Sequence, residues 1–152
     1  MAENIEIFYS YAHQDEGLRK ELDKHLSLMK RQGLITGWYD RNIFEGDELD
    51  DEIAKHLNSA QIILLLVSAD FLNSDYCYGI EMKRALERRQ AGEARVIPII
   101  LRPVDWHSAP FGKLRASPKD GKAITTWGNR DEAFLDVAKG IRRIVEELNG
   151  KK

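Results

Sequence analysis

The chain has 152 residues, 43% hydrophobic and 32% charged, with a net charge of −2, which suits one globular domain with a core of its own and excludes a disordered or fibrous chain. It lacks the basic excess of a sequence-independent nucleic-acid binder, and no apolar run approaches the roughly 20 residues of a membrane helix. The lone cysteine, Cys77, leaves no intramolecular disulfide to form, so a reducing, cytoplasmic setting is expected.

Strand and helix patterns alternate from the start. Ile5 to Tyr11 reads as a first strand with Ile5, Ile7 and Tyr9 on one face. It begins so early that no signal peptide is expected before it. Asp15 to Arg31 reads as one amphipathic helix whose stripe is Leu18, Leu22, Leu26 and Met29, ended by Gly33. Trp38-Tyr39 marks a short second strand. A second helix opens near Asp47, where the acidic residues suit a helix N-terminus, and carries Leu49, Ile53 and Leu57. Ile62 to Val67 is six apolar residues without alternation, the pattern of a strand buried on both faces of a parallel sheet.

Ser74 or Asp75 is expected to cap a third helix running to about Gln90, with Tyr78, Met82, Ala85 and Leu86 inward. The basic pairs Lys83-Arg84 and Arg88-Arg89 read as a solvated face of that helix. Arg95 to Leu101 is a fourth strand, with Pro98 expected on a side where pairing is interrupted. After an irregular stretch rich in turn residues, Ala123 to Trp127 reads as a fifth strand. Asn129 to Asn149 reads as a last helix, with Asn129 and Glu132 at capping-box spacing. This alternation predicts a single α/β domain over residues 1–150: a flavodoxin-like, doubly wound parallel sheet of five strands in order 2-1-3-4-5. In such sheets ligands bind at the carboxyl ends of the strands, which directs attention to residues 10–15, 40–47 and 68–81.

Familiar chemistries are missing from that edge. The first strand is followed by Ser10-Tyr11-Ala12-His13, not a glycine-rich dinucleotide loop, and neither a P-loop nor a G-x-S-x-G elbow is present. A phosphoacceptor receiver would need acidic residues where Ser10 and Ser68 stand. The four histidines have no metal-ligand spacing.

Three motifs in order do carry a resemblance. They are Phe8-Tyr9-Ser10-Tyr11 ending the first strand, Tyr39-Asp40-Arg41-Asn42-Ile43-Phe44-Glu45-Gly46-Asp47 after the second, and Ser74-Asp75-Tyr76-Cys77-Tyr78-Gly79-Ile80-Glu81 opening the third helix, with Phe134 beginning the stripe of the last. Together they resemble a Toll/interleukin-1 receptor (TIR) domain of the bacterial type. Glu45 stands where that family often has proline, and Cys77 where it often has tryptophan.

The resemblance implies one of two kinds of work. In the first, the domain cleaves NAD, as substrate and not as a returning cofactor, between nicotinamide and ribose to give ADP-ribose or a cyclic product. The catalytic carboxylate then falls on Glu81, with substrate contacts at Ser10, Tyr11, Asp40, Arg41, Phe44, Gly46 and Cys77, and no metal. In the second, the domain only docks other TIR domains through the loop around Gly46. Partners are then NAD and further TIR copies, with self-association activating a defence or signalling role. The strand-first N-terminus suits an N-terminal module of a longer protein. The residues alone leave other readings for these positions: Glu81 pairing with Arg84 on a helix surface, Tyr11 and Phe44 in ordinary packing, Asp40 ordering its own turn, and Cys77 as a small buried hydrophobe.

Overall fold

A computed structural model describes residues 4–39 and 49–150. Four parallel strands form the sheet: β1 (Ile5–Ser10), β2 (Ile35–Trp38), β3 (Ile62–Val67) and β4 (Arg95–Ile100), in spatial order β2-β1-β3-β4. The register pairs Ile5 with Ile35, Ile7 with Ile62, and Ile62 with Arg95. The helices are α1 (Glu16–His25), α2 (Ser27–Arg31), α3 (Leu49–Ser59), α4 (Ala69–Asn73), α5 (Met82–Gln90) and α6 (Arg130–Leu148). A π-helical turn, Asp75–Glu81, joins α4 to α5.

The pleat of β3 sorts the core into two layers. Ile62, Leu64 and Leu66 face α1, α2 and α6, where Leu22, Leu26, Met29, Phe134 and Val137 meet them. Ile63, Leu65 and Val67 face the opposite side, against Ile53 and Leu57 of α3 and Ala85 of α5. All six side chains of β3 are fully buried, each contributing about 1.5–3 kcal/mol of apolar burial. The unbroken apolar run therefore reports a strand covered by helices on both faces.

Several sequence expectations change. The helix read as continuous from Asp15 to Arg31 breaks at Leu26, whose φ of −98° and ψ of 6° leave the α region. The apolar stripe crosses the break undisturbed, because Leu22, Leu26 and Met29 all reach the same core. Gly33 ends α2 at a φ of 75°, with Leu34 N–H bonded to Met29 O and Gly33 N–H to Lys30 O, the paired bonds of a glycine-terminated helix. Arg88 is not solvated: it is buried and donates to the carbonyls of Leu57 and Ala60.

Among the described residues there is no fifth strand, so the order 2-1-3-4-5 shortens to 2-1-3-4. Ile124–Thr126 is a 3-10 turn in which both the N–H and the hydroxyl of Thr126 return to Ala123 O. The outer edge of β4 is occupied elsewhere: Ile100 N–H donates to Ser117 O, and Ser117 N–H to Pro98 O. Pro98 thus turns its donor-less nitrogen to the outer side, where the ladder shrinks to this single bridge. On α6, Asn129 caps the helix by accepting from Glu132 N–H at 3.0 Å.

Candidate functional site

The carboxyl ends of β1, β3 and β4 meet at one edge, and the residues there are fixed by short local motifs. Ser10 is the last residue of β1 and is fully buried. Tyr11 follows, its hydroxyl donating to Glu16 Oε1 at 2.6 Å; Arg19 holds Glu16 Oε2 at 3.0 Å and stacks over the Tyr39 ring at 3.6 Å. The residue before the 40–48 stretch is therefore clamped by a buried guanidinium.

Beyond β3, Ser68 caps α4 by accepting from Phe71 N–H at 3.1 Å. Ser74 then caps the π-helical turn by accepting from Cys77 N–H at 3.0 Å, so the expected cap is Ser74 and not Asp75. The wider π turn ends on Glu81 and carries it inward; such turns are frequent at functional sites. Glu81 is only 6% exposed and accepts a hydrogen bond from Ser10 Oγ at 2.6 Å. The alternative pairing with Arg84 does not form: Arg84 bonds Asn58 Oδ1 at 2.6 Å and Glu87 at 3.2 Å.

A cleft of about 650 Å³ opens here, within the usual size of small-molecule sites. Glu81, Cys77 and Tyr76 come from the π turn, Tyr11 and His13 follow β1, Asp70 belongs to α4, and Ile53 to α3. Cys77 is buried in the core layer and also lines the cleft. Of the residues singled out from sequence, Ser10, Tyr11, Cys77 and Glu81 converge. Asp40, Arg41, Phe44 and Gly46 lie outside the described residues. Among the described residues no three His, Cys, Asp or Glu side chains converge as a metal would require.

A second polar cluster stands beside the cleft. Asp15, 2% exposed, accepts from Ser68 Oγ and from Arg102 Nε at 2.9 Å. Arg102 also reaches Asp70 Oδ2 at 2.6 Å. One guanidinium thus ties together the segments after β1, β3 and β4. The hydrogen bond to Asp70 raises the Arg102 pKa, with burial opposing and Asp15 adding to the rise, so the group is a permanent cation. Asp15, Ser68 and Asp70 fall inside the sequence windows drawn around this edge, but Arg102 does not. The signal that could have found it is its position, two residues past the end of β4, at the same carboxyl edge.

The chain can do three things with this geometry. It holds a carboxylate fixed on one oxygen by a buried hydroxyl, it offers aromatic and apolar walls, and it neutralises two further carboxylates through Arg102.

Comparison with known proteins agrees with the architecture. The family model described as TIR domain matches residues 7–136. An uncharacterized protein, y4lF, of Sinorhizobium fredii (strain NBRC 101917 / NGR234) is 62% identical over 136 residues, or 90% of this chain; the chain spans only 42% of that relative's length. The TIR domain of the Toll-related receptor TRR-2 from Hydra magnipapillata superposes with a TM-score of 0.62 at 17% identity, covering 92% of this chain and 97% of the other. The TIR domains of the activated Roq1 resistosome, which directly recognizes the effector XopQ, give 0.55 at 18%, covering 95% and 99%. A prokaryotic SEFIR domain gives 0.53 at 14%, covering 93% and 92%. At these identities the structural likenesses speak for the fold, and the family match covers most of the sequence. The chain belongs to the TIR domain family, of the bacterial type.

Proposed function

We propose that this domain cleaves NAD between nicotinamide and ribose, with Glu81 as the catalytic carboxylate. The observation that carries the reading is the buried Glu81 carboxylate, held by Ser10 Oγ at 2.6 Å on the wall of a cleft of about 650 Å³. Nicotinamide departs as a neutral molecule, so no general acid has to protonate it. The ribose left behind develops oxocarbenium character, as in glycoside cleavage. A carboxylate already fixed beside the ribose stabilises that charge without reorganising, an effect worth about 3–4 kcal/mol of barrier for one preorganised group. Water then attacks the ribose to give ADP-ribose, or a nucleophile of the adenine closes a cyclic product.

In this reading Ser10 orients Glu81, and Tyr11, Tyr76 and Cys77 form the walls. The resemblance adds Asp40, Arg41, Phe44 and Gly46 as further contacts. Self-association completes the cleft, in a defence or signalling role within the cytoplasm. Ile80, adjacent to Glu81 on the π turn, is 53% exposed and is available to a partner surface. The non-enzymatic reading is docking alone, through the loop around Gly46, with no turnover. Incubating concentrated protein with NAD and chromatographing for free nicotinamide separates the two. The enzyme reading expects release whose specific rate climbs with protein concentration; docking alone expects no release at any concentration.

A further inference from the structure

A second groove, of about 500 Å³, runs between the amino half of β4 and α6. It shares no lining residue with the Glu81 cleft. Although the chain has a net charge of −2, five cationic side chains line this groove against two acidic ones, Asp136 and Glu147. Arg95 pairs with Glu147 at 2.6 Å. Asp136 is engaged by the backbone N–H of Lys119 at 2.7 Å. Among the described residues, the charged ends of Arg89, Arg115, Lys119 and Arg143 meet no carboxylate, so four unpaired cations surround one concavity.

Its floor is apolar: Ile97 of the strand shares a core layer with Val137 and Ile141 of the helix, and Val96, whose side chain belongs to the opposite layer, lines the groove at the strand's edge. At Gly140 of α6 an added Cβ would meet nothing closer than Arg143, at 3.9 Å. A glycine there costs helix stability and no close packing requires it; its effect is to leave the groove open.

The strand adds directional groups. Arg95 N–H donates to Gln61 O, just before β3, and Leu101 N–H, just after β4, to Val67 O, whereas Ile100 N–H and Pro98 O turn outward to Ser117. By the same alternation Val96 turns its N–H and C=O outward, into the groove. An added strand would find almost nothing else to pair with, because Pro98 has no N–H and that of Ile100 is taken. A peptide is therefore a poor fit. One adjacent donor and acceptor, an apolar floor and guanidinium groups able to stack suit the edge and face of a nucleobase. The unpaired cations suit its phosphates.

We infer that this groove is a binding site for a nucleotide, a phosphate ester carrying a planar base, separate from the Glu81 cleft. The probe is ATP, titrated calorimetrically into the 152-residue chain with EDTA present, beside adenosine and inorganic tripolyphosphate. The expected result is one saturable site that weakens with salt and binds ATP at least about tenfold more tightly than either fragment. The pair Arg115→Glu and Arg143→Glu lowers ATP affinity by at least about tenfold. Gly140→Leu, which fills the groove, abolishes binding while the melting temperature holds or rises. Tripolyphosphate binding as tightly as ATP would reduce the groove to a charge patch and overturn the inference. So would equal displacement of ATP by a poly-glutamate peptide, or ATP affinity unchanged in both the charge-reversed and the groove-filled protein.

Discussion

Replacing Arg102 by Met keeps much of the stem and removes the guanidinium that bridges Asp15 and Asp70. The Asp15 carboxylate is 1% exposed and would keep only the Ser68 hydroxyl as the partner described here. Removing one member of a buried pair costs about 3–5 kcal/mol. Here Arg102 is 36% exposed and water can reach its place, which lowers the expectation to about 2–3 kcal/mol. At the sensitivity of a domain this size, about 2–4 °C per kcal/mol, the melting temperature should fall by about 4–12 °C. Urea unfolding of Arg102→Met, Asp15→Asn and the double variant isolates the pair. Their coupling should be about 1.5–3 kcal/mol, and that of Asp70 with Arg102 below about 1 kcal/mol because both are solvent-accessible. A loss under about 0.5 kcal/mol in Arg102→Met, or additive effects with Asp15→Asn, would refute the claim that this guanidinium holds the carboxyl edge together.

Other outcomes follow from the same contacts. Ser10→Ala removes the donor that fixes Glu81, a hydrogen bond to a charged group worth about 1.5–3 kcal/mol, so nicotinamide release should slow by about tenfold to a hundredfold; an unchanged rate would mean that Ser10 does not orient the carboxylate. Burial, reinforced by Asp23, raises the Tyr9 pKa well above its ordinary value, so the folded state holds this proton more tightly than the unfolded chain does. The resulting stabilisation is full below about pH 10 and is lost as pH rises from there toward the raised value. Chemical unfolding between about pH 9 and 11 should therefore show a steeper loss in the wild type than in Tyr9→Phe, and parallel curves would contradict this.

Much of this architecture is legible in the sequence because it follows from periodicity. The six-residue apolar run became β3, and the charged-to-apolar alternation of α6 became a capped helix against one face of the sheet. Ser10 and Glu81 could be matched because the topology brings the ends of β1 and of the segment after β3 to one edge, 71 residues apart in sequence. What failed had a different cause in each case. Ile124-Thr125-Thr126 has strand-like composition, but the edge it would join is taken at Ser117; the N–H and hydroxyl of Thr126 return to Ala123 O, and Thr125 N–H reaches Leu101 O, just past the end of β4. The break at Leu26 leaves no mark on the hydrophobic stripe, since the side chains on either side reach the same core. Arg102 lies 87 residues from Asp15, and composition gives no hint of an ion pair across that distance. Arg88 reads as one more charge on a basic helix face, yet its Nη1 donates to the carbonyls of Leu57 and Ala60 at the end of α3 and its Nε and Nη2 to Glu93.

The central claim, that Glu81 turns over NAD, is tested most directly by Glu81→Gln. Glutamine keeps the volume and an acceptor oxygen for Ser10 but removes the charge. The measurement is nicotinamide released from NAD by wild type and variant at equal high concentration, with melting temperature and self-association recorded on the same samples. The account predicts release by the wild type and a fall of about a hundredfold or more in the variant, the scale of losing one preorganised electrostatic group, with folding and association intact. Wild-type release matched by an equally active Glu81→Gln protein would contradict the assignment of this residue, and no release from the wild type at any concentration would contradict the enzyme itself.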